Sequence, residues 1–290
     1  MFCHYPKKHD GLARIFRNIL LALLIVPAVP FAPARSSAGA GPTPAAATPQ
    51  KLIALTFDDG PRPWVLKGNS QAGHASPSLL DLLDRYNSKA TFFVMGWRLN
   101  PFADKDCRKI DVGITCREAA AEEHRRGDEV ENHTYGHGNF RLMEKRYGDD
   151  WVLNDLDRAN RTIAAITGVK ALYVRPPDWT IWPEMAQKIE ARGYHLMSKS
   201  TSLPPERRDV DSEDYFCVGT NTSKCPKPSL HDYVMQDIQQ RERKGVYGHI
   251  LVFHELPNSV EVLSKLIPEL KQRGYTFVTL QEYLEMEKLQ

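Results

Sequence analysis

The sequence predicts a single α/β domain built on a mostly parallel sheet or closed barrel, and three observations predict it. From Lys51 onward, short β-branched or aromatic runs alternate with amphipathic helical stretches, which is the pattern of repeated βα units. Gly127, Gly168, Gly193 and Gly274 stand just beyond predicted helix ends, where a left-handed cap is wanted. Polar residues able to do chemistry follow the C-terminal ends of predicted strands, the face on which a parallel βα barrel places its site. No internal repeat of fixed period is visible, so a solenoid is excluded. With 290 residues, 42% of them hydrophobic, the chain can bury one substantial core.

The predicted strands lie at 52–57, 90–95, 128–131, 171–174, 194–197, 250–253 and 276–280. Those at 52–57 and 250–253 are nearly continuous apolar runs, as strands buried on both faces require. Helical periodicity lies between them, at 78–86, 117–126, 149–167, 183–192, 233–243 and 260–273, with apolar positions recurring every three or four residues.

The N-terminus reads as an export signal over residues 1–38. Lys7, Lys8, Arg14 and Arg17 precede an apolar run at 19–29, and small residues follow in Ala32-Pro33-Ala34 and Ser36-Ser37-Ala38. An uncleaved anchor is the alternative, but the run falls short of the roughly 20 residues a spanning helix needs, and Pro27 and Pro30 interrupt it. Residues 39–49, rich in Gly, Pro, Ala and Thr, read as a linker, leaving 50–288 as the folded domain. The expected location is therefore periplasmic, extracellular or at the cell envelope. Such a compartment is oxidising. Apart from Cys3 the chain has Cys107, Cys116, Cys217 and Cys225. Pairing Cys107 with Cys116 and Cys217 with Cys225 would close two short polar loops, and no Cys-x-x-Cys favours a zinc cluster instead. A net charge of +2, from 38 basic and 36 acidic residues, is too balanced for a nucleic-acid stripe.

Four segments carry the chemistry. Thr56-Phe57-Asp58-Asp59-Gly60-Pro61 closes the first strand with two adjacent carboxylates. Asp-Gly-Pro is ordinary turn chemistry, yet the pair lets one acid hold a cation while its neighbour handles protons. His133 and His137 stand four apart in His-Thr-Tyr-Gly-His, a spacing that one helical turn would bring to the same side. With a carboxylate such as Asp59 they form a two-His, one-carboxylate set that leaves positions open for water and substrate. Arg175-Pro176-Pro177 follows another strand; an Arg buried there needs an acid, and Asp58 is the plausible mate. His254 ends the apolar strand at 250–253, as a functional group or as a satisfied structural histidine.

Taken together and in this order, the Thr-Phe-Asp-Asp-Gly, His-Thr-x-x-His, Arg-Pro-Pro and Leu251-x-x-His254 segments closely resemble the polysaccharide deacetylases of carbohydrate esterase family four, from about Lys51 to Tyr283. The resemblance implies a distorted (β/α)7 barrel, TIM-barrel-like, in a single catalytic domain that binds zinc or another divalent metal. It implies Asp58 as catalytic base, Asp59, His133 and His137 as metal ligands, Arg175 as the residue that orients the base, and His254 as catalytic acid. Two departures stand out. The family usually has an aromatic after Arg-Pro-Pro, whose backbone N–H helps hold the oxyanion; here Pro177 is followed by Asp178 and Trp179. The family's Asp-x-x-Asp-Trp motif, which partners the acidic histidine, is matched by Asp211-Ser212-Glu213-Asp214-Tyr215, with Asp214 or Asp211 as the partner. The stretch between Pro61 and Pro77, with Trp64 and His74, is longer than the family pattern and is a candidate lining of the groove.

The expected reaction is metal-dependent removal of N-acetyl groups from an N-acetylglucosamine-containing polysaccharide (peptidoglycan, chitooligosaccharide or exopolysaccharide) with release of acetate. An O-deacetylase of acetyl xylan or exopolysaccharide uses the same apparatus on esters. A non-catalytic carbohydrate-binding relative would have lost the base or a ligand, and all are present. A nucleophilic serine hydrolase is disfavoured because no Gly-x-Ser-x-Gly occurs.

Overall fold

A computed structural model describes residues 50–68, 70, 76–100, 102–103, 105–109, 113–197, 209–218 and 222–287. The predicted signal and linker, and His74, lie outside the described residues. The strands are β1 (Leu52–Gly60), β2 (Thr91–Val94), β3 (Glu129–Asn132), β4 (Tyr173–Val174), β5 (His195–Leu196), β6 (Val210–Asp211), β7 (Gly248–His254) and β8 (Thr276–Val278). They form one parallel sheet in the order β5-β4-β3-β2-β1-β7-β6, with β8 paired to β1. Helices cover it: α1 (Trp64–Lys67), α2 (Leu79–Arg85), α3 (Cys116–Arg125), α4 (Phe140–Tyr147), α5 (Asp149–Thr167), α6 (Pro183–Ala191), α7 (Leu230–Glu242), α8 (Pro257–Gln272) and α9 (Leu280–Glu287). This is the expected parallel α/β barrel architecture in one domain, an open, curled form of it. None of the described helices is long and apolar enough to cross a membrane.

β1 organises the rest. Its alternation sends Ile53, Leu55 and Phe57 into the layer shared with Leu79, Leu83, Leu263 and Ile267 of the covering helices. Leu52 and Ala54 face the barrel interior with Phe93, Tyr173 and Ile250, so Thr56 and Asp58 continue that inward face by the period of two. The ladder with β7 runs from Leu52 opposite Gly248 to Asp58 opposite His254. One acid and one imidazole from the two most apolar strands are thereby brought side by side.

Local signals set most boundaries. Ser78 caps α2 through the Asp81 N–H, and Thr115 and Glu118 form a reciprocal capping box at α3. The four glycines expected to cap helices all have positive φ, between 77° and 88°. Differences from expectation have physical causes. β6 is two residues long, too short to show any period. α4 spans only eight residues and buries Phe140 alone, so its pattern is too short to stand out. The predicted strand at 276–280 stops at Val278, because Thr279 and Glu282 cap each other's N–H groups and start α9. That Thr-x-x-Glu signal was legible in the sequence.

Both disulfides form, Cys107 with Cys116 and Cys217 with Cys225. The second ties down the turn Asp214–Cys217. Removing it with Cys217→Ser/Cys225→Ser is expected to lower unfolding stability by about 2–3 kcal/mol, from the entropy of a loop this short, measured by denaturant titration of the oxidised protein and the variant.

Candidate active site

The strand ends of β1, β3, β4 and β7 converge on a cleft of about 210 Å³ lined by Asp58, Asp59, His133, His137, His254 and their neighbours. Asp59 enters it by a break in the strand. Simple alternation would point its side chain opposite to Asp58; instead the register with β2 shifts between Phe57 and Gly60 and Asp59 takes φ 66°. The bulge re-aims the second carboxylate to the same cavity as the first.

His133 Nε2 and His137 Nε2 lie 3.2 and 2.9 Å from Asp59 Oδ1, and the three potential ligand atoms are all within 4.8 Å of one another. Asp59 Oδ1 is buried, yet no hydrogen bond of acceptable geometry reaches it. An orphaned carboxylate oxygen facing two imidazole nitrogens fits a shared divalent cation. His133 Nδ1 bonds the Arg175 carbonyl at 2.8 Å, which fixes the ring with Nε2 toward the cavity. The two histidines do not share a helical turn, as their spacing suggested. They flank a tight loop in which Thr134 and His137 have positive φ. The Thr134 hydroxyl accepts from the His137 N–H at 2.9 Å, and Asp155 accepts the Tyr135 and Gly136 N–H groups. The spacing is right, but turn hydrogen bonds rather than helix geometry realise it.

Arg175 is fully buried. Its Nη1 donates to Asp58 Oδ1 at 2.7 Å and to Thr56 Oγ1 at 2.9 Å, and its guanidinium lies over the Phe93 ring at 4.2 Å. Asp209, which the sequence reading did not single out, stands 3.8 Å from Nη2. Arg175→Leu would strand buried carboxylates and is expected to destabilise the fold by about 3–5 kcal/mol, read as a lowered denaturation midpoint.

His254 meets Asp214 twice. Its Nδ1 is 2.6 Å from Asp214 Oδ1, and its backbone N–H donates to Oδ2 at 2.7 Å. The Ser259 hydroxyl also donates to Asp214, and Asn258 Nδ2 donates to its carbonyl at 3.0 Å. Of the two candidate partners the structure places Asp214 on the ring; Asp211 accepts the Glu213 N–H and lines the cleft. Burial opposes charging of His254, but the hydrogen bond and charge of Asp214, with Asp58 and Asp59 behind it, push its pKa up to about 9. Nε2 is left facing the cavity, 3.9 Å from Asp59 Oδ2. Asp178 and Trp179 form the opposite rim, both at φ 55°, with Trp179 N–H donating to the Pro176 carbonyl at 3.2 Å.

Two further contacts escaped the sequence reading. Tyr215 packs edge-on to His254, ring centroids 5.2 Å apart. Glu255, buried directly after His254, accepts the Arg62 N–H at 2.6 Å and clamps the turn that follows Asp59. A Cβ at Gly60 would lie 1.6 Å from Glu255 Oε1, so Gly60→Ala is expected to displace Asp59 and weaken metal binding at least about tenfold, a shift of about 1.4 kcal/mol, measured by competition with a chromogenic chelator.

The model of the polysaccharide deacetylase family matches residues 45–197, more than half of the chain. The chain belongs to that family. As a polysaccharide deacetylase it is a hydrolase of acetylated polysaccharides. It is 28% identical over 241 residues to a peptidoglycan-N-acetylglucosamine deacetylase of Bacillus cereus, covering 81% of this chain and 89% of that protein. It is 27% identical to the peptidoglycan-N-acetylmuramic acid deacetylase of Bacillus subtilis over 82% of this chain, but that match spans only 40% of the longer protein. In fold it is similar to a family 4 acetyl xylan esterase from Clostridium thermocellum, solved with a cobalt ion, at TM-score 0.57 and 24% identity over 82% of this chain and 92% of that one. Family members are metalloenzymes, and the donor set at Asp59, His133 and His137 suits this polysaccharide deacetylase to the same chemistry.

Proposed function

We propose that the protein is an exported deacetylase that removes N-acetyl groups from N-acetylglucosamine units of a cell-envelope polysaccharide, peptidoglycan or a chitin-like oligomer, and releases acetate. The observation that carries this reading is the placement of a base and an acid beside one three-ligand set. Asp58 O and His254 Nε2 share the cavity of Asp59, His133 and His137.

Asp59 Oδ1, His133 Nε2 and His137 Nε2 would hold a divalent cation, and two imidazoles with one carboxylate suit zinc. When bound, that ion supplies Lewis-acid polarisation of the acetyl carbonyl and acidifies neighbouring water. Asp58, aimed by the hydrogen bond from Arg175, whose Nη1 is itself held by Thr56 Oγ1, takes a proton from the attacking water. The Asp178 N–H sits on the rim where a donor meets the developing oxyanion. His254, charged and held by Asp214, gives its Nε2 proton to the departing sugar nitrogen. Water and amide are thus converted to acetate and a free amine. An amide needs that proton more than an ester does, and a histidine held in its charged form favours N- over O-deacetylation. Residues 1–38 act as the export signal, 39–49 as a linker, and 50–288 as the catalytic domain. Two disulfides agree with an oxidising compartment.

Purified protein loaded with zinc is expected to release acetate from chitooligosaccharides or peptidoglycan strands, to stop when a chelator strips the ion, and to recover on adding zinc back. Acetate from acetylated xylan alone would establish the ester reading in place of the amide one. Silence on every acetylated glycan with zinc bound would refute both.

A further inference from the structure

Asp178 occupies the rim where the family pattern has an aromatic, and its surroundings give the side chain a job of its own. Its backbone is left-handed, φ 55° and ψ 20°, a conformation that Asp tolerates better than most residues; Trp179 repeats the positive φ. The carboxylate is exposed but tethered. Asn139 Nδ2 donates to Asp178 Oδ2 at 3.1 Å and to Thr180 Oγ1 at 3.0 Å. Asn139 is itself fixed as the N-cap of α4, its Oδ1 accepting from the Leu142 N–H. One carboxylate oxygen is therefore held by a neutral amide, and the other is left for the cleft that Asp178 lines with Asp58, Asp59 and His254.

Asp178 stands in that cleft without an ion-pair partner among the described residues. Asp58 faces Arg175 at 2.7 Å and Asp214 faces His254 at 2.6 Å, while Asp59 belongs to the ligand set. Among the described residues, the hydrogen-bond partner of the Asp178 carboxylate is the uncharged Asn139. A fixed negative charge with no ion-pair partner among the described residues acts on whatever sugar lies across the rim.

We propose that Asp178 is a specificity-determining carboxylate that makes the cleft prefer glycan segments bearing an ammonium beside the target acetamide, and disfavour segments bearing a carboxylate there. The ligand class is a partly deacetylated, glucosamine-containing chain. This rests on the N-deacetylase reading above and adds to it the charge of the neighbouring sugar. Each amine released makes the next segment a better substrate, so deacetylation accelerates along a chain already begun. Muramic units with a free lactyl carboxylate, being anionic, are selected against.

The test compares kcat/KM of the zinc-loaded enzyme and its Asp178→Asn variant on three soluble oligomers of equal length: fully N-acetylated, partly deacetylated, and lactyl-bearing. The side chain is changed and the backbone N–H is kept. In the variant, the ratio of cationic to neutral substrate is expected to fall about threefold and the ratio of anionic to neutral to rise about as much, the size expected of a solvent-exposed ion pair. Both effects should shrink at high salt, and Asp178→Glu should restore part of the preference. Ratios unchanged by the substitution, or a loss equal on all three oligomers together with weaker zinc binding, overturn this inference while leaving the deacetylase reading intact. A wild-type enzyme inactive on all three with zinc bound overturns that reading and the inference with it.

Discussion

Asp58→Asn is expected to lower kcat for acetate release by about 10²–10⁴-fold, the usual worth of a positioned general base, with zinc content unchanged. Asparagine keeps the shape of the side chain and an oxygen to accept the Arg175 hydrogen bond, but that amide oxygen cannot take a proton from water at neutral pH. Asp58 lies on the inward face of β1, while the ligand carboxylate Asp59 is turned to the cavity by the bulge and positive φ that follow. The two adjacent acids are therefore separable, and Asp59→Asn should instead lose the ion. Acetate assays paired with metal analysis of both variants check the division of labour. Full turnover in Asp58→Asn would remove the base from the mechanism.

His254→Ala is expected to lower the rate on N-acetyl substrates by about 10²–10⁴-fold and to spare an activated aryl acetate. A phenolate leaves without help, whereas an amine must be protonated as it departs. Similar losses on amide and aryl ester would show that His254 serves binding or structure rather than proton donation. Asp214 deepens the prediction. It is the chief group raising the histidine pKa to about 9 against the cost of burial. The acid form is present below that pKa and is lost as pH rises through it. Asp214→Asn removes the charge that favours the proton, so the alkaline limb of kcat against pH should move to lower pH, whatever shift the bound cation adds to both enzymes. An unmoved limb would assign that ionisation elsewhere.

Much of the fold was legible because each long element repeats one physical signal. The span of α5 at 149–167 is long enough for its apolar stripe to fix both ends, and Gly168 stops it with a left-handed residue. The strands at 52–57 and 250–253 announced themselves by being apolar on both faces. Elements that escaped lacked such redundancy. Val210-Asp211 becomes a strand only because Leu251 and Val252 of β7 lie alongside, and α4 carries a single buried residue.

The candidate site divides in the same way. Residue type and order along the chain determined on their own which acids, imidazoles and guanidinium were candidates, and that their segments end strands, because these are properties of local composition and period. Tertiary structure decided which of them meet. Asp214 rather than Asp211 reaches His254 because the turn at Asp214–Cys217 sets its side chain against the end of β7 and the start of α8. His133 and His137 converge through a strained loop pinned by Thr134 and Asp155, and Gly60 is required by Glu255, which lies 195 positions along the chain. Contacts of that kind depend on packing between elements distant in sequence, and a local pattern carries no record of the distance between two side chains that only the closed sheet brings together.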